Sequence, residues 1–120
     1  SDVCSSDLLK GFSQVNYLPG VIYDGGRTLF PNVIAVTNKA SGGSIGTAAT
    51  TVDLGTVIAV NQTTASQTLT LPNPTDTTAG AVIVVLSVGS AGFTINGTVL
   101  TASNSTQAKA IFVWTGAAWI

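Results

Sequence analysis

The stretch AVIVVLSVGSAGFTINGTVL, residues 81–100, decides the fold class. Its apolar part falls far short of the ~20 residues a membrane-spanning helix needs. It is instead a β-branched run of the kind that fits a pleated strand, and it shows no helical periodicity. Asn96-Gly97 stands between FTI and TVL, and both residues tolerate the positive φ of a type I′ turn. Strands over 93–95 and 98–100 are therefore expected to form a hairpin. Working outward, the same alternation of short apolar runs and turn clusters predicts strands at 56–60, 67–71, 81–88, 109–114 and 117–120. Strands at such short intervals point to an all-β fold, namely an antiparallel sandwich, barrel or β-prism-like module.

Two of these strands are apolar on both sides. Val82, Val84, Leu86 and Val88 share one face of 81–88, while Ile83 and Val85 lie on the other. In 109–114, Ile111 and Val113 oppose Phe112 and Trp114. A strand apolar on both faces needs cover on both. A second subunit is the simplest cover, and the chain's own residues 11–36 are the alternative. Trp114 and Trp119 flank the turn TGAA; a two-residue turn sets Trp119 opposite Phe112, a four-residue turn opposite Trp114. Either way both Trp share a face, which marks Trp114, Trp119 and Phe112, with Val82, Val84 and Leu86, as candidate interface or ligand-stacking residues.

Toward the N-terminus, strands are expected at 15–18, 20–23 and 28–36, separated by Pro19-Gly20 and Asp24-Gly25-Gly26. Pro31 splits the third or confines it to a sheet edge. The small, polar segment NKASGGSIGTAATT, 38–51, reads as a linker. The expected organisation is thus a hairpin region or arm over 9–37, a linker over 38–51 and a β module over 52–120.

Composition removes most chemistry. Only 8% of residues are charged, with a net charge of −1, against a typical ~25% for soluble domains. The four basic residues, Lys10, Arg27, Lys39 and Lys109, are scattered, so a nucleic-acid partner is not expected. No membrane insertion is expected either. The chain has no His, and its five acids are all Asp, which removes the commonest general bases and metal ligands. The sequence SGGSIG, 41–46, lacks the Lys of a phosphate loop. Asp24, Asp53 and Asp76 are far apart in sequence and better suited to turns than to a paired-carboxylate site. No catalytic residue, metal or cofactor is expected, and the chain is read as not an enzyme. Asn61-Gln62-Thr63, Asn96-Gly97-Thr98 and Asn104-Ser105-Thr106 match the glycosylation sequon, as a chain rich in Asn and Thr will by chance.

Two resemblances add to this. Residues 2–8, DVCSSDL, resemble one reading frame of a widely used short-read sequencing adapter. That implies a non-native segment over 1–8, a chain that is a fragment, and no significance for its one cysteine, Cys4. Separately, VNQTTASQTLTLPNPTDTTAG (60–80), VVLSVGSAGFTINGTVL (84–100) and FVWTGAAW (112–119) together resemble a module of phage tail fibres. The resemblance implies a trimeric β fibre or its tip, a virion location and attachment to a host surface, including its polysaccharide. The alternative is a monomeric carbohydrate-binding or cell-surface adhesin module of a secreted protein, with Tyr17, Tyr23, Trp114 and Trp119 as candidate stacking rings.

Overall fold

The computed structural model describes residues 22–24, 27–29, 32–103, 105 and 107–120. The chain divides into two units, Ser1–Pro31 and Asn32–Ile120. In the first, β1 (Ile22–Asp24) and β2 (Arg27–Leu29) pair antiparallel, with Ile22 opposite Leu29 and Asp24 opposite Arg27. The expected strand at 15–18 and the adapter-like residues 1–8 lie outside the described residues.

The second unit runs β3 (Val33–Val36), β4 (Gly43–Ser44), a single 3-10 turn (Ala48–Thr50), β5 (Val57–Val60), β6 (Gln67–Thr70), β7 (Val82–Ser87), β8 (Phe93–Ile95), β9 (Thr98–Leu100) and β10 (Lys109–Val113). The strands form two four-stranded sheets, a first of order β10-β7-β5-β3 and a second of order β4-β6-β8-β9. From β3 to β8 successive strands alternate between the sheets, so this part of the chain winds as a coil. β3, β5 and β7 stack parallel in the first sheet, and β4, β6 and β8 stack parallel in the second. Val33 lies opposite Val57 and Val57 opposite Val84, while Gly43 lies opposite Leu69 and Leu69 opposite Ile95. Each turn therefore uses roughly 25 residues, the scale of a solenoid repeat. The tetrapeptide VIAV occurs at 33–36 and again at 57–60, and the two copies pair with no offset.

After three turns the coil reverses. Asn96 (φ 45°) and Gly97 (φ 82°) make the expected tight turn, β9 returns antiparallel to β8, and β10 returns antiparallel to β7. The all-β expectation holds, but not the antiparallel one: both sheets are mixed. Parallel neighbours are joined by long crossings and carry no local turn signature, so turn spacing alone suggests hairpins where the chain makes rungs.

The core lies between the sheets and is one cluster. Val36, Ile58, Val60, Ile83, Val85, Phe112 and Trp114 enter it from the first sheet side, and Ile45, Leu69, Phe93, Ile95 and Leu100 from the second. Each strand contributes alternate residues, which is why a short rung with only one or two apolar positions suffices. That explains the segment 38–51, which is not a linker. Gly43 and Ser44 pair with Leu69 and Thr70, the Ile45 N–H bonds the Thr70 carbonyl at 3.1 Å, and Ile45 and Thr51 are buried. A Gly- and Ser-rich stretch makes a full rung because a single Ile fills its place in the core. The boundary between units accordingly falls at Pro31, where the run expected over 28–36 splits into β2 and β3.

Candidate interaction surface

The coil's corners are held by side chains acting as extra backbone. Gln62 is fully buried; its Oε1 accepts the Lys39 N–H at 2.9 Å, and its Nε2 donates to the carbonyls of Lys39 at 2.9 Å and Thr64 at 3.2 Å. One amide thus satisfies both backbone groups of Lys39 on the turn above. Asn38 reaches the other way, its Oδ1 accepting the N–H groups of Thr63 and Thr64. On the turn below, Gly89 lies so close that a Cβ would sit 2.2 Å from the Gln62 carbonyl oxygen. Only glycine permits that approach.

At the opposite corner the two Trp residues form a clamp. Trp114 and Trp119 pair as an antiparallel bridge across the turn 115–118, with ring centroids 5.3 Å apart in an edge-on arrangement. This is the four-residue alternative of the two the sequence allows. The Trp114 Nε1 donates to the Thr77 carbonyl at 3.1 Å and the Trp119 Nε1 to the Pro72 carbonyl at 2.9 Å. The loop 71–80 is thereby fastened to the end of β10, and the indole N–H groups are satisfied as buried donors must be. Trp114, Trp119 and Phe112 are 2%, 7% and 2% exposed. They belong to the core and present no ring for a sugar to stack on.

Val82, Val84 and Leu86 point the other way, onto the outer face of the first sheet. There the register builds rows across all four strands. Val33, Val57, Val84 and Ile111 form one. Ala35, Ala59, Leu86 and Lys109 form the next. Val82 pairs with Val113, which exchanges two backbone hydrogen bonds with Ile120. Val33, Ile111 and Ile120 are more than half exposed. The outer face of the second sheet differs: Ser44 lies beside Thr70, and Thr68 beside Thr94 and Val99. Sequence inspection found the apolar face of β7 and β10 but not its continuation through β3 and β5, which the repeated VIAV could have revealed.

The remaining candidates serve the fold. Asp53 and Asp76 line one open cleft with Thr75 and Thr78. The Asp53 carboxylate accepts the Thr75 N–H at 3.1 Å and its hydroxyl at 2.5 Å, tying the loop 71–80 to the end of the 3-10 turn region. Asp76 accepts the Thr78 N–H at 3.0 Å, and that bond holds its carboxyl below the usual value of 3.8. A depressed pKa is opposite to what a general acid needs. Its contribution to stability is present above the ordinary carboxylate range and fades as pH falls through the lowered value. Asn96 uses its Oδ1 to accept the Leu71 N–H at 2.8 Å. The segment 41–46 forms β4 and the buried Ile45 rather than an anion cradle. Among the described residues no three Asp or Cys side chains come together as a metal cluster, and no helix is long and apolar enough to cross a membrane. The side chains of Tyr17, Tyr23 and Asp24, the adapter-like residues and the sequon at Asn104 lie outside the described side chains.

Comparison of the chain with protein-family models, with curated proteins and with solved structures finds no match.

Proposed function

We propose that the chain is a structural and adhesive module of a viral tail fibre, working as a homotrimer on the virion and attaching to a host surface. The observation that carries this reading is where the polar side chains go. Gln62, Asn38, Asn96, Asp53, Asp76 and both indoles are engaged with backbone groups of the coil itself. What is left on the outside is hydroxyl and apolar surface with little charge, suited to scaffolding and contact rather than to moving protons. The three segments that resemble phage fibre modules coincide with working parts of the coil: 60–80 with a corner, β6 and the clamped loop, 84–100 with β7 to β9, and 112–119 with the Trp clamp.

A candidate seat for the adhesive part of the reading, among the described residues, is an open groove of about 540 Å³ in which Ser66, Gln67, Thr94 and Thr101 stand beside apolar residues such as Ala65, Val99 and Ala102. Hydroxyls and an amide beside an exposed Val suit a neutral saccharide better than a charged one. Light scattering on the whole chain tests the reading: a stable mass of three chains is expected. A monomer at high micromolar concentration that binds bacterial surface polysaccharides would replace it with the monomeric carbohydrate-binding module. Hydrolysis of polysaccharide that disappears in Asp53→Asn or Asp76→Asn would replace it with an enzyme.

A further inference from the structure

We infer that the outer face of the first sheet, centred on the row Val33, Val57, Val84 and Ile111, is the surface on which a second copy of this chain seats. The inference rests on the oligomeric part of the function proposed above and adds the surface that part leaves open.

Three features of the face select a copy of itself as the occupant. The first is relief. A row of three Val and one Ile runs beside a row that begins Ala35, Ala59, so the face has a ridge next to a trough across β3 and β5. A two-fold axis sets the same patch of both copies face to face, so a copy related in that way can set its ridge into that trough. The second is charge. Lys109 is the one charged residue in these rows, at the β10 end, and no acid accompanies it. The face therefore holds no charge pattern for an oppositely charged partner to read, and two copies can approach with Lys109 at the margin. The third is extent. Val33, Val82, Ile111, Val113 and Ile120 are between 40% and 73% exposed. With the half-buried Val57, Val84 and Leu86 they offer on the order of 500 Å² of apolar surface, near the upper end for a monomer. Two such faces, each wholly covered by the other, would bury about 1,000 Å², the area an interface between proteins must reach and below the usual range of stable ones.

The outer face of the second sheet supplies the internal control, since Ser44, Thr68, Thr70 and Thr94 stand at equivalent outward positions on the same rungs. The test uses the whole chain at a series of concentrations, with mass read by sedimentation or light scattering and folding by circular dichroism. Val84→Asp and, separately, Ile111→Asp are expected to stay folded and drop to the mass of one chain. Thr94→Asp is expected to keep the mass of the unmodified protein. Ile111 is 62% exposed, so its variant tolerates the charge even if Val84→Asp does not fold. An oligomer that survives both aspartates overturns the inference while leaving the fibre reading in place. A dimer of the unmodified chain that both aspartates dissociate upholds the inference and removes the trimer. An unmodified chain that is already monomeric at high micromolar concentration overturns it.

Discussion

The two sheets of the coil share one inward code and have opposite outward ones. Inward, both are filled by Ile, Val, Leu and Phe in register, as any rung must be to close the core. Outward, the first sheet carries Val33, Val57, Val84 and Ile111 where the second carries Ser44, Thr70, Thr68 and Thr94. Nothing in the winding of the chain requires that difference, because outward positions touch no core. β-branched Thr and Val fit a strand about equally well. The contrast therefore follows from outward composition rather than from the winding: the first face is largely apolar, whereas the second is largely hydroxyl with Val99 exposed among it.

The largest expected effect separates inward from outward on a single strand. Ile58 is fully buried, and Ile58→Ala should cost about 2–5 kcal/mol, the range for deleting a core aliphatic side chain. Val57, the next residue, faces out, so Val57→Ala should cost much less. Its remaining cost should grow with protein concentration if a second copy covers it. Denaturant melts at two concentrations measure both. Equal losses for the pair would mean that the outer face is already buried within one chain.

A middle-sized effect lies at the corner that both sheets share. Gln62→Ala strips the Lys39 N–H of its side-chain partner and leaves the Lys39 carbonyl only the Gly42 N–H, in a part-buried turn. The expected loss is about 1–3 kcal/mol, the penalty of leaving buried groups unsatisfied. Because Gln62 joins the rungs and touches neither outer face, melting should fall while the assembled mass is retained.

Much of this was legible in the sequence. Asn96-Gly97 announced its hairpin because a type I′ turn is chemistry confined to two residues. W-x-G-x-x-W announced a shared face because either turn length gives one. What escaped was anything decided by residues far apart. The parallel stacking of β3 on β5 is written in the repeated VIAV, but its partners are joined by a whole turn of the coil and not by a turn motif. The segment 38–51 looked empty for the same reason: Ile45 is alone in its own neighbourhood and becomes core only beside Leu69 and Ile95. The role of Gln62 was equally hidden, since an amide side chain shows no sign of its partner 23 residues away.

A smaller effect of opposite sign tests whether the inward code is complete. On the first sheet, Val36 lies opposite Val60, and Val60 lies opposite Ser87. Ser87 thus breaks a column of Val, and its buried hydroxyl has no hydrogen-bond partner among the described residues. Ser87→Ala removes the stranded group at the cost of one oxygen atom's packing, and should raise stability by about 1 kcal/mol. A drop in melting temperature would mean that the hydroxyl has a partner, such as a buried water, that holds the corner.

The smallest change in stability should accompany the sharpest test of the comparison itself. Thr68 and Thr94 stand side by side on the second sheet, and Val99 completes their row. Thr68→Val with Thr94→Val would turn that row into three Val, a close copy of the row on the first sheet. Neither side chain donates a hydrogen bond to the backbone of another rung in the structure, and Thr and Val have nearly the same shape. The folded chain should therefore change by no more than about 0.5 kcal/mol, as surface substitutions usually do. Association should change much more, because the double variant offers apolar rows on both sides of the coil. Its mass should rise with concentration beyond that of the unmodified chain, and Val84→Asp in the same background should remove only the association that belongs to the first sheet. If the double variant keeps the unmodified mass at every concentration, apolar rows on this coil do not by themselves recruit a copy. The contrast between the faces would then be a matter of strand composition, with no bearing on what the molecule binds.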